Sequence, residues 1–146
     1  MKPFTEFVTS GIVKRQSPDR NRAGFLFLEC KNSFRLLLEM EKKIALDSNS
    51  ANLFIKSCYD ILMELIRAHM LLAGYKAVGS GAHEAEVAYL NALGFAESDV
   101  RFLDQLRYFR NGMLYYGTIL DEEYAQKVIA VTKKHFSTLR NAEIEP

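Results

Sequence analysis

Between Arg101 and Gly117 the chain reads RFLDQLRYFRNGMLYYG, and the side chains able to do chemistry there recur at helical spacing. Arg107, Asn111 and Tyr115 are four apart and share one side of a helix turning about 100° per residue, with Asp104 and Tyr108 beside them. Arg110 stands at the border between that side and an apolar stripe of Phe102, Leu106, Phe109, Met113 and Tyr116. A solvated helix face more usually carries Lys and Glu. A guanidinium offers a planar fork of donors matched to phosphate, and a phenol stacks on a base or donates a hydrogen bond, so the set suits a phosphate-bearing ligand. The plain alternative for Arg110 is that its stem lies over apolar surface, or that it pairs with Asp104. Tyr116 lies on the apolar stripe and reads as structural, whereas Tyr115 shares its side with Asn111.

Arg110-Asn111, three residues, then Tyr115-Tyr116 and Gly117, resembles the signature helix of HEPN domains, which are small, all-helical, usually dimeric and associated with nucleotides and RNA. The segment from Gly74 to Phe95, and more loosely Gly11 to Glu29, resembles the earlier helices and loop of an archaeal-type HEPN protein, so the likeness covers most of the chain. It implies that Arg110 binds phosphate, or stabilises the charge that develops when a ribose 2′-hydroxyl attacks it. It also implies a homodimer with the motif lining a cleft between subunits, where Arg107, Arg110, Asn111, Tyr115 and His83 are the candidate nucleotide- or RNA-binding residues.

Family members that cleave RNA carry His after the Arg, and the positions where it is expected hold Tyr115, Tyr116 and Gly117. A phenol with pKa about 10 moves protons poorly near neutral pH, so the leading expectation is a binding module with catalysis weakened or lost. A second expectation is a metal-independent endoribonuclease of toxin type, with Arg110 catalytic and Tyr115 or His83 carrying the proton. A third is the partner subunit of a small nucleotidyltransferase, an enzyme class with which HEPN proteins are often paired. No cofactor or metal is expected in any of them.

The 146 residues suit one domain, and 49% hydrophobic with 25% charged residues is a globular composition. Lys plus Arg number 19 against 18 Asp plus Glu, so any basic surface has to be local. One such run is Lys14, Arg15, Arg20 and Arg22, which reads either as a solvated face or as a set of phosphate contacts. No stretch approaches the roughly 20 apolar residues of a membrane span, and the N-terminus lacks a signal-peptide core, so a cytoplasmic protein without a membrane partner is expected.

The elements that must position these groups are helical. Residues Pro3 to Arg15 predict a short helix on Phe4, Phe7, Val8 and Ile12. Ser17 as N-cap with Pro18 behind it starts a long helix, whose apolar residues are Ala23, Phe27, Cys30, Phe34, Leu37, Met40 and Ile44. After the polar break Asp47-Ser48-Asn49-Ser50 a second long helix runs to about Ala73, with Lys56, Asp60, Glu64 and Arg67 opposite its main stripe. Leu53, Met63, Met70 and Leu71 fall outside that stripe, an excess that points to another helix or a second subunit.

Gly74 to Gly81 reads as a connecting loop without a GxGxxG or Walker pattern, and a short helix follows from about Ala82 to Leu93, ended by Gly94. Ser98-Asp99 caps the motif helix and Gly117 ends it. The last helix, Asp121 to Arg140, turns Ala125, Val128, Ile129, Thr132, Phe136 and Leu139 inward. No segment alternates as a strand does, so the fold class is all-α, a bundle of about five main helices. Cys30 and Cys58 read as buried thiols, His69 as a hydrogen-bonded core histidine and His135 as a surface residue among lysines.

Overall fold

Ile61, Leu62 and Met63 are consecutive and all buried, as are Leu65 and Ile66, so the helix Ala51–Ala73 is covered on more than one face. In this computed structural model, which describes residues 1–116 and 120–140 and the side chains of 1–112 and 120–140, that helix is the axis of the bundle. The order is α1 (Phe4–Thr9), β1 (Val13–Arg15), α2 (Arg20–Lys43), α3 (Ala51–Ala73), β2 (Tyr75–Ala77), α4 (Ala82–Ala92), α5 (Glu97–Tyr116) and α6 (Glu122–Leu139). Helix α3 packs against α2, α4, α5 and α6, and α4 packs against α1 and α5. Of the described residues 74% are helical, as an all-α bundle requires. Among the described residues no helix is long and apolar enough to cross a membrane.

The excess apolar residues of α3 are used within the chain: Met63, Met70 and Leu71 are buried, and only Leu53 is exposed. Phe27 and Phe34 of α2 both stack on Phe136 of α6, at centroid distances of 6.3 and 4.0 Å, and so tie together the two helices that flank α3. Cys30 and Cys58 are free and buried, and burial pushes their thiols up to about 12 and about 11, which makes them inert packing residues. All six inward residues expected of α6 are buried. Gly94 adopts φ 84° behind α4, and Phe95 N–H donates back to the Leu90 carbonyl at 3.1 Å, a closing turn that satisfies the helix's last acceptors.

Several local expectations are corrected. Asp19, not Ser17, caps α2, its carboxylate accepting the Arg22 N–H at 3.0 Å. That leaves Pro18 before the helix, where its missing N–H costs nothing. The predicted N-terminal helix stops at Thr9, and Val13–Arg15 forms a strand antiparallel to Tyr75–Ala77, with Lys14 opposite Lys76. Three-residue strands are too short to show alternation. Gly74 permits the pairing: it ends α3 at φ 84°, and a Cβ there would lie 2.6 Å from the Gln16 carbonyl oxygen.

The stripe of α5 is also turned from the one expected. Val100, Leu103 and Leu106 are buried, whereas Phe102 and Phe109 are half-buried against Tyr124 at 5.7 and 5.4 Å. Ile44, at the extended end of α2, is exposed rather than packed.

His135 is buried, not on the surface. It lies against Phe95 at 4.9 Å, and neither ring nitrogen has a partner among the described residues. His69 is the hydrogen-bonded core histidine expected, its Nε2–H donating to the Leu139 carbonyl at 2.6 Å. Burial holds both imidazoles below their ordinary range, offset in part by that carbonyl for His69 and by Asp99 for His135, where Lys134 acts the other way. The native protein therefore binds fewer protons than the unfolded chain once the pH drops below the unfolded histidine value near 6.5. The contribution is complete above that value and is lost as acid titrates the unfolded chain first. Urea midpoints are expected to fall between about pH 7.5 and about pH 5.5, and to fall less in His69→Gln/His135→Gln. An equal fall in the double variant would assign the acid sensitivity to other groups.

Candidate functional site

Four charged or polar positions of α3, Lys56, Asp60, Glu64 and Arg67, repeat every three or four residues and form its one polar strip. Burying that strip under another helix would desolvate its charges, so α2 and α5 pass on either side. Above it lies a cavity of about 290 Å³, floored by Tyr59, Asp60, Met63, Glu64 and Arg67, with His83 from the first turn of α4 and Arg110 and Asn111 from α5 on its walls. The structure thus brings together three of the residues singled out from sequence: His83, Arg110 and Asn111.

Glu86 organises this wall. It is 3% exposed, and its carboxylate accepts Arg67 Nε–H at 2.6 Å through Oε2 and Arg67 Nη2–H at 3.2 Å through Oε1, a bidentate pair. Oε1 also contacts His83 Nδ1 at 2.9 Å. With Nδ1–H donating to Glu86, the imidazole has one orientation and its Nε2 is free on the open side, since the His83 side chain is 60% exposed. Pairing with Glu86 raises the Arg67 pKa despite its burial, so its charge is permanent. The Tyr59 phenol is pushed up to about 12, first by burial and then by Glu86, so it stays protonated and is a donor.

Arg110 has no such partner among the described residues. Its Nε is buried without a hydrogen bond, and the carboxylate expected to neutralise it, Asp104, is taken by Arg107 at 2.9 Å. Arg107 is one half of a local pair on α5 and stands outside the lining of this cavity. Glu64 Oε2 is likewise buried without a partner at the cavity floor. Burial, with Asp60 next, raises the Glu64 pKa. Among the described residues, the site thus has a buried guanidinium Nε without a partner on one wall and a buried carboxylate oxygen without one on its floor.

Tyr115 belongs to the backbone of α5, but its side chain lies outside the described residues, as does that of Tyr116. Sequence reasoning did not single out Tyr59, Glu64, Arg67 or Glu86 as site residues. The available signal was the polar strip of α3, a run of charges every three or four residues on an otherwise apolar helix. Among the described residues no group of three or more His, Cys, Asp or Glu is arranged to hold a metal ion.

In comparison with known proteins, the chain matches no family model, no curated protein and no solved structure. The fold and cavity describe a helical bundle with a charged slot along its central helix.

Glu86→Ala would leave Arg67 half-buried without its acceptor and release His83. The expected loss is about 1.5–3 kcal/mol, toward the lower figure because Arg67 keeps some solvent. Urea denaturation measures it. Glu86→Gln, which retains an acceptor oxygen, is expected to lose less, and equal losses would show that shape rather than charge holds the wall.

Proposed function

We propose that the protein is a HEPN-like binding module that takes a phosphate-bearing ligand, a nucleotide or RNA, in the cavity between α3, α4 and α5. The observation that carries the reading is Arg110, a guanidinium with a buried Nε and no carboxylate partner among the described residues, facing the same cavity as Asn111 and the free side of His83. An anion bound there would supply the missing acceptor, and phosphate matches the guanidinium fork. Arg67 is held by Glu86 and sets the position of the wall rather than competing for the ligand.

Catalysis on this reading is weak, because Tyr115 occupies a position where a nuclease of this kind has imidazole. One observation favours a second reading, an endoribonuclease. His83 lines the cavity with Arg110, and Glu86 fixes its ring with Nε2 outward. Nε2 would take the proton of a ribose 2′-hydroxyl as that oxygen attacks the adjacent phosphorus, while Arg110 stabilises the charge and the departing 5′-oxygen takes a proton from water.

The test is binding and cleavage of a labelled unstructured RNA, with chelator present. Arg110→Ala is expected to keep the fold and to weaken binding about 10- to 100-fold, the loss of one charge-assisted contact. Wild-type cleavage is expected to be weak or absent and to appear in Tyr115→His. Robust wild-type cleavage abolished by both Arg110→Ala and His83→Ala would establish the second reading. Unchanged binding in Arg110→Ala would make Arg110 structural and remove both.

We further infer a homodimer, now on different grounds from the apolar excess of α3. Phe25, Leu28 and Leu36 are exposed on one side of α2, and Leu36 borders a groove whose lining includes Asp60 and Glu64 of the charged slot. A two-fold contact there would bring a second copy beside the cavity. Sedimentation at micromolar concentration is expected to give a dimer for the wild type and a monomer for Leu28→Asp/Leu36→Asp, and a monomeric wild type would sink the idea.

A further inference from the structure

Lys14, Lys76, Arg20 and Arg22 stand where the two short strands meet the start of α2, and among the described residues their charges have no ion-pair partner. The antiparallel register sets Lys14 directly opposite Lys76, both exposed. Like charges directly opposite on a ladder are destabilising, and this sheet has only two strands. Arg20 and Arg22 stand in the first turn of α2, which contains no acidic residue, so they oppose the helix dipole.

Asp19 stands beside the cluster and Glu86 lines the same cleft as Arg22 and Lys76, and both carboxylates are occupied. Asp19 caps α2 through the backbone N–H of Arg22, and Glu86 is held by Arg67 and His83. Among the described residues none of the four cations forms an ion pair. The cluster therefore carries local electrostatic costs that folding does not explain.

Its position relates it to the charged slot. Arg22 and Lys76 line a small cleft of about 50 Å³ together with Arg67, and Arg67 also lines the cavity that holds Arg110, Asn111 and His83. One arginine is thus shared by both clefts. Arg67, paired with Glu86 at the boundary, thus stands between Arg110 on one side and Arg22 and Lys76 on the other, with Lys14 across the ladder from Lys76.

We propose that this row is the second half of one binding track, and that the ligand is a single-stranded polynucleotide rather than a mononucleotide. One nucleotide occupies the Arg110 cavity and the flanking phosphates lie along Arg22, Lys76 and Lys14. A positive path that follows the backbone, beside a cavity that takes one unit, is the arrangement single strands require. The inference rests on the reading that the Arg110 cavity takes a phosphate-bearing ligand.

The experiment compares wild type, Lys14→Gln/Arg22→Gln/Lys76→Gln and Arg110→Ala in binding an unstructured RNA oligonucleotide across a salt series, adenosine monophosphate, and vesicles of phosphatidylserine. Three lost phosphate contacts are expected to flatten the slope of log K against log salt for RNA by about 2, at roughly 0.7 per contact. The triple variant is expected to bind adenosine monophosphate as the wild type does, whereas Arg110→Ala weakens both ligands. Its thermal midpoint is expected not to fall, because the substitutions relieve repulsion. A triple variant with the wild-type salt slope overturns the track while the reading of Arg110 stands. A flattened slope with no effect of Arg110→Ala makes the strand pair a separate site and overturns both statements; a wild type that binds adenosine monophosphate but not RNA overturns the track alone, and one that binds neither overturns both. Loss of vesicle binding with RNA binding intact assigns the cations to an anionic membrane surface instead.

Discussion

The central helix α3 is apolar around most of its circumference but carries one charged strip, Lys56, Asp60, Glu64 and Arg67, and the bundle is arranged around the need to leave that strip partly wet. Four helices cover the rest of α3. Where they cannot close without stripping water from charges, they leave a slot. The candidate site is therefore a consequence of packing: it is the part of the central helix that the core cannot use.

Glu86 turns that slot into a defined arrangement. A carboxylate buried on an otherwise apolar face of α4 is tolerable only when its oxygens are fully used. Arg67 and His83 use them, from α3 and from the first turn of α4. The same bonds fix the height of α4 against α3 and the tautomer of His83. Arg110, by contrast, lines the same cavity with no acceptor for its buried Nε among the described residues. The contrast between a satisfied and an unsatisfied arginine in one cavity separates the residue that builds the site from the residue open to a ligand.

The strand pair adds a constraint of another kind. Gly74 lets the chain leave α3 in a left-handed turn and pass close to Gln16, whose N–H donates to the Gly74 carbonyl at 2.9 Å. That contact carries the N-terminal segment back to the end of α3, beside Arg67. Without it, Lys14 and the start of α2 would have no reason to lie next to the charged slot. The helices place Arg110 and His83, and the strands place the lysines.

Much of the fold was legible from periodicity alone. The long helices, the inward face of α6, the buried cysteines, the turn at Gly94 and the border position of Arg110 all follow from interactions between residues within a few positions of one another, which a linear sequence displays directly. The misreadings share a physical cause. His135, Phe102 and Phe109 lie at the edges of helical stripes, where a small rotation of the helix decides burial, and that rotation is set by the neighbouring helices. Helical spacing alone pairs Asp104 with Arg107, three residues on, whereas only tertiary packing set Arg110 against a cavity. Glu86 and Arg67 were unremarkable charges on separate helices until the bundle brought them within 2.6 Å. The sequence by itself determined which segments are helical and which faces are apolar. The meeting of Arg67, His83, Glu86 and Arg110 was decided only by the tertiary structure, because contacts between distant segments depend on how whole helices rotate and cross to bury their apolar surface.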